Sequence, residues 1–249
     1  MMAFPFTGIV YFLVSIGLFF FSFRLYQNYQ VQKENIVAKF FFLTVALFAL
    51  LCLFAGVGGI IFTFTQSQFI AKVLTLSSLI LVIIATSFTA YLVFYIKFPK
   101  YNPWIGFSLV FALGILTFIL TLIFPYKFTL KSMGGIEWGF HKIVYLSRFS
   151  LYLFSVFPLS IILLEKFKRT KNFYIRYKAL GLGLVFLVAF IIVVIDFILE
   201  PFLQLEATLS EFVLGFLSII LFCVLYFTRQ LEAPKRLFHE DKKYKDFVT

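Results

Sequence analysis

The segment "IIVVIDFILEPF", residues 191–202, carries two carboxylates, Asp196 and Glu200, in a run otherwise as apolar as lipid. The segment "KIVYLSRFSLYLFSVF", residues 142–157, carries one guanidinium, Arg148, in similar company. A charge at the centre of a membrane costs roughly 2.5–3.5 kcal/mol by some scales, so such groups face a bundle interior and take a partner. Arg148 and Asp196 are the expected ion pair, and Glu200 either shares Arg148 or faces water. Helical spacing puts Tyr145, Arg148, Tyr152 and Ser155 on one stripe. A second stripe holds Thr75, Ser78, Thr86 and Thr89. Turned inward together, these residues make a polar pocket of Arg148, Asp196, Glu200, Tyr145, Tyr152, Thr86 and Thr89, with His141 above it. Each has a plainer role to weigh: a structural ion pair, hydroxyls that tie helices together, a histidine that caps a helix. Asp196 and Glu200, four apart, could share a proton, yet nothing around them reads as a substrate cleft, and catalysis is not expected.

The elements that must hold these residues are membrane helices. Of the 249 residues, 62% are hydrophobic and 13% charged, against about 45–50% and 25% in a soluble domain. Apolar runs at about 6–25, 40–64, 72–96, 104–125, 143–164, 179–200 and 212–228 are long enough to cross a bilayer. Alternation of period two is absent, so a closed barrel is excluded. The expectation is an all-α, seven-transmembrane-helix bundle over residues 1–230, with a short basic tail at 231–249.

Charge sets the expected orientation. Alternate loops and the tail hold seventeen Lys and Arg residues, against four on the other side. The loop after the fifth run is the richest, with Lys166, Lys168, Arg169, Lys171, Arg176 and Lys178. Positive residues stay on the cytoplasmic side, which puts the N-terminus outside and the C-terminus in the cytoplasm of a cell membrane. The net charge of +11 is thus a topology signal, and nucleic acid is set aside as a partner. The same basic loop could touch anionic lipid or a cytoplasmic protein.

Smaller cues refine the picture. Ala55 and Gly59 in "AGVGG" have the small-xxx-small spacing of close helix packing. Pro158 should kink the fifth helix. "KFTL" and "IEWG", around Gly134 and Gly135, read as a hairpin or lid over the pocket, with Trp138 as an interface anchor. The first run lacks a basic start and a cleavage site, so it reads as a retained helix.

Absent chemistry narrows the classes. The seventh run has no lysine for a retinal Schiff base. Only His141 and His239 occur, too few for paired haem ligation or a histidine zinc site. Cys52 and Cys223 form no spaced motif. No cofactor and no metal are expected.

Three segments, "WGFHKIVYLSRFSLYLF", "EKFKRTKNFYIRYKALGLG" and "LFCVLYFTRQL", together resemble the seven-helix sensor region at the N-terminus of some prokaryotic histidine kinases. Trp138, Gly139, Phe140, His141 and Tyr145 carry most of the likeness. The resemblance implies an N-outside sensor whose last helix feeds a signalling domain. Here about 20 residues follow the last run, so the expected output is a separate protein. The leading expectation is a stand-alone receptor-like sensor for a small ligand from the outer side. A small-solute transporter or channel, and an assembly subunit without a ligand, are the alternatives.

Overall fold

The computed structural model describes residues 5–31, 33–130 and 135–203, and five residues between 216 and 223. Its helices are α1 (Phe6–Val31), α2 (Ile36–Thr65), α3 (Gln68–Lys97), α4 (Trp104–Ile123), α5 (Lys142–Leu153), α6 (Val156–Arg169), α7 (Phe173–Val194) and α8 (Glu200–Leu203). A π-helical turn, Ile195–Leu199, joins α7 to α8. Counting α5 with α6 as one span, six helices among the described residues are long and apolar enough to cross a membrane. The chain is therefore a multi-pass, all-α membrane protein. The seventh expected run, 212–228, and the tail at 231–249 lie almost wholly outside the described residues; Leu217 and Ile220 pack against Val185 and Val188 of α7.

The outer surface fits that solvent. Phe20 and Phe69 are 72% and 75% exposed, and Ile123 and Phe154 also point outward. Between helices in lipid there is little hydrophobic drive, so close packing and hydrogen bonds must hold the bundle. Both are present. A Cβ on Gly8 would stand 2.6 Å from the Ile60 nitrogen, and one on Gly56 would stand 2.7 Å from the Phe12 nitrogen. The small-residue contact of α1 with α2 thus runs through Gly8, Gly56 and Gly59. Ala55, paired with Gly59 in the sequence reading, faces a cavity instead. Ser15 Oγ donates to the Ala49 carbonyl at 3.0 Å across the same interface.

Helix α3 is the hub, touching α2, α4, α5 and α6. Its Ala85, Thr86, Ser87, Thr89 and Leu92 are fully buried. At one end of the bundle, Lys97 of α3 pairs with Glu165 of α6 at 2.9 Å. At the other end, β1 (Thr129–Leu130) pairs antiparallel with β2 (Ile136–Glu137). This is the hairpin expected around Gly134–Gly135. Gln68, at the start of α3, holds it through both amide atoms: Nε2 donates to the Phe128 carbonyl at 2.8 Å and Oε1 accepts from the Phe128 N–H at 3.1 Å. The Ile136 N–H reaches Thr7 Oγ1 of α1 at 3.2 Å. Behind the hairpin, Gly139 has φ +53° and sits against the Lys127 carbonyl, a site that excludes a Cβ.

Two prolines interrupt the helices that carry the charges. A proline ring collides with the carbonyl four residues earlier and offers no N–H. For Pro158 that residue is Phe154, and the helix breaks there, between α5 and α6. The expected kink takes the form of a two-residue break at Phe154 and Ser155 within one span. For Pro201 the residue is Phe197, inside the π-helical turn that contains Asp196.

Candidate functional site

A partly open cavity of about 260 Å³ is walled by α1, α2, α3, α5, α6, α7 and the π-helical turn. Ile136, Trp138 and Phe140 line it at the hairpin end. Trp138 is half-buried, with its ring 5.5 Å from that of Phe128. Trp138 thus lines the cavity from the hairpin.

The structure brings Arg148, Asp196 and Tyr152 to this one cavity. Arg148 is only 9% exposed. Its guanidinium lies 3.9 Å over the Phe140 ring, a cation–π contact. Its Nε and Nη2 are buried without a hydrogen-bond partner. The expected direct ion pair with Asp196 is not among the described contacts within 4 Å. Asp196, half-buried, instead accepts a long hydrogen bond, 3.3 Å, from the Tyr11 hydroxyl of α1. The physical reason lies in the elements. Asp196 sits on the widened turn imposed ahead of Pro201, whose register leaves the carboxylate within reach of α1, while stacking on Phe140 holds the guanidinium under the lid.

Other expected pocket residues divide. Tyr152 lines the cavity and its ring is near that of Phe48, 6.4 Å between centres. Tyr145 is buried beside the Phe140 ring at 5.6 Å, outside the lining. Thr86 and Thr89 do not reach the cavity. They turn their hydroxyls to the Val82 and Ala85 carbonyls of their own helix at 2.7 and 2.9 Å. Thr75 and Ser78 of the same stripe do line it. His141 caps α5, its Nδ1 accepting from the Ile143 N–H at 3.3 Å, and stacks on Phe124 at 4.4 Å. It is exposed and away from the cavity. Glu200 begins α8, and its side chain lies outside the described residues.

Sequence reasoning missed Tyr11, Thr7 and Tyr126. Thr7, Tyr11 and Ser15 recur every four residues in the first run, a stripe that could have been found. Tyr126 is buried in the α4–β1 connection, and its hydroxyl also lacks a partner. Burial pushes its pKa up, against the pull of the Arg148 charge, so it stays protonated.

Apart from Thr7, Tyr11, Thr75, Ser78, Arg148, Tyr152 and Asp196 the wall is largely apolar, with Leu18, Val45, Phe48, Val82 and Phe186 among its residues. No group of three or more His, Cys, Asp or Glu residues is placed to hold a metal ion among the described residues. The basic cluster is far from this cavity. Lys166, Lys168 and Arg169 form the last turn of α6, Lys171 follows, and Arg176 and Lys178 open α7. Arg176 stacks 4.8 Å over Phe167, and Arg169 reaches Glu165 at 4.0 Å. No protein family, curated protein or solved structure matches this chain.

Proposed function

We propose that the chain is a receptor-like seven-helix sensor of a cell membrane. The hairpin end faces outside and the basic end faces the cytoplasm. A small ligand enters under the hairpin, binds at Arg148 and shifts the packing of α5 against α6 and α3. The Lys97–Glu165 end and the basic loop of Lys166–Lys178 then present a changed surface to a separate cytoplasmic partner. The observation that carries this reading is the buried Arg148 guanidinium, with orphaned donors, lining a cavity between the helices. A bundle without a ligand would gain by closing such a space or pairing that charge.

The test is thermal unfolding of the purified protein in lipid nanodiscs against a panel of small molecules. Compounds that raise the midpoint should lose that effect in Arg148→Ala while circular dichroism shows a folded bundle. Unchanged stabilisation in the variant removes this site. A spin-label pair across the inner ends of α3 and α6 should change its distance when such a compound binds.

Transport is the second reading, favoured by the interruptions at Phe154–Ser155 and Ile195–Leu199 beside the cavity. Broken helices flanking a buried site are a transporter device. Solute uptake into proteoliposomes, abolished by Asp196→Asn, would support it over the sensor.

A further inference from the structure

Nε–H and one Nη2–H of an arginine lie parallel on a single edge of the guanidinium, at the spacing of two carboxylate oxygens. In Arg148 these two nitrogens are the ones buried without a partner. The Phe140 face attracts the charge, but it offers nothing in the guanidinium plane. The Tyr126 hydroxyl is a further orphan close enough to feel the Arg148 charge. The group that satisfies such an edge is a planar, two-oxygen anion. Asp196 lines the same cavity, so a singly charged acid meets less repulsion there than a doubly charged phosphate.

The rest of the cavity describes the rest of the ligand. Below Arg148 the wall is formed by Leu18, Val45, Phe48, Val82 and Phe186, with Ala189 beside them. A cavity of about 150 Å³ is enough for benzene, and a water-sized unit takes about 30 Å³. The 260 Å³ here therefore holds roughly eight or nine such units, the bulk of one medium-length hydrocarbon chain.

We propose that the cavity binds a single-chain amphiphile with a carboxylate head, the head on the Nε/Nη2 edge of Arg148 and the chain in the apolar chamber toward Phe186. This rests on the cavity being a ligand site, and it names the ligand's class.

The experiment uses the full chain in phosphatidylcholine nanodiscs, with decanoate, decanol and acetate as probes. Decanoate at about a hundred times its dissociation constant should raise the unfolding midpoint by roughly 5–10 °C. Decanol, with the chain and no charge, should need at least about tenfold more, and acetate should do nothing. Arg148→Lys keeps the charge but loses the fork, and should lose most of the preference for decanoate. Ala189→Phe keeps Arg148 and fills the chamber, so it should abolish the response even if the arginine variants fail to fold. Decanol equalling decanoate in the wild type overturns the carboxylate head. Nanodiscs of phosphatidylglycerol giving the same shift with no probe assign the edge to a lipid phosphate and overturn it too. In both cases a response lost in Ala189→Phe leaves the cavity standing as a ligand site. A full response in Ala189→Phe overturns the placement of the chain. No response to any probe overturns the proposal, and the sensor reading itself falls only if the wider panel also yields no compound sensitive to Arg148→Ala.

Discussion

Arg148 concentrates the molecule's cost and its use. Its guanidinium is held over the Phe140 ring, with two of its donors unanswered. The Asp196 carboxylate in the same cavity is held by Tyr11. Tyr11→Phe removes that donor. Interhelical hydrogen bonds in membranes average about 0.6 kcal/mol, so the variant should unfold about 1–3 °C lower, as scanning calorimetry in nanodiscs would read. Thr86→Val and Thr89→Val should leave any ligand-dependent stabilisation intact, because neither residue lines the cavity. Thr75→Val and Ser78→Ala, at the cavity wall, should alter it, and titration with one stabilising compound across the four variants separates the two sets. Charge and polarity along a helix are legible in sequence, so Arg148, Asp196 and Tyr152 could be named. Spacing gives the face of a helix and not what lies opposite at each depth. That is why Thr86 and Thr89 were grouped with Thr75 and Ser78, and why Tyr11 was not foreseen beside Asp196.

At the scale of elements, the two prolines and one glycine contact decide the shape. Pro158→Ala removes the collision with the Phe154 carbonyl and restores an N–H, which allows α5 and α6 to join. The expected result is a more protected stretch around Phe154–Pro158 in hydrogen exchange, with weaker response to ligands because Arg148 loses its independent setting. Gly56→Val should be among the most damaging changes. Its added carbons meet the α1 backbone, and overpacking of this kind typically costs about 1–3 kcal/mol. A drop of roughly 2–10 °C in the unfolding midpoint would check it. The interruption at Pro158 was legible as a local effect of ring chemistry. The close contact was legible only as a small-residue spacing. Choosing Gly56 over Ala55 depends on which face of α2 meets Gly8, a property of two helices together.

At the scale of the molecule, one end carries the hairpin and the other the Lys97–Glu165 pair and the basic loop. If the hairpin end lies outside, Thr129→Cys should react with a membrane-impermeant maleimide on intact cells in a Cys52→Ala, Cys223→Ser background. Lys171→Cys should react only after the membrane is opened. The reverse pattern inverts the orientation. By itself the sequence settled that this is a helical membrane protein, where its first six spans run, where a hairpin sits and where its intramembrane charges fall. Those follow from local quantities: hydropathy over a helix length, turn residues and the cost of charge in hydrocarbon. Only the tertiary structure decided that Arg148 stacks on Phe140, that Tyr11 takes Asp196 and that an apolar chamber lies beneath. These depend on the rotation and depth of helices far apart in the chain, which lipid-like side chains, nearly uniform around each helix, leave unspecified until the helices meet.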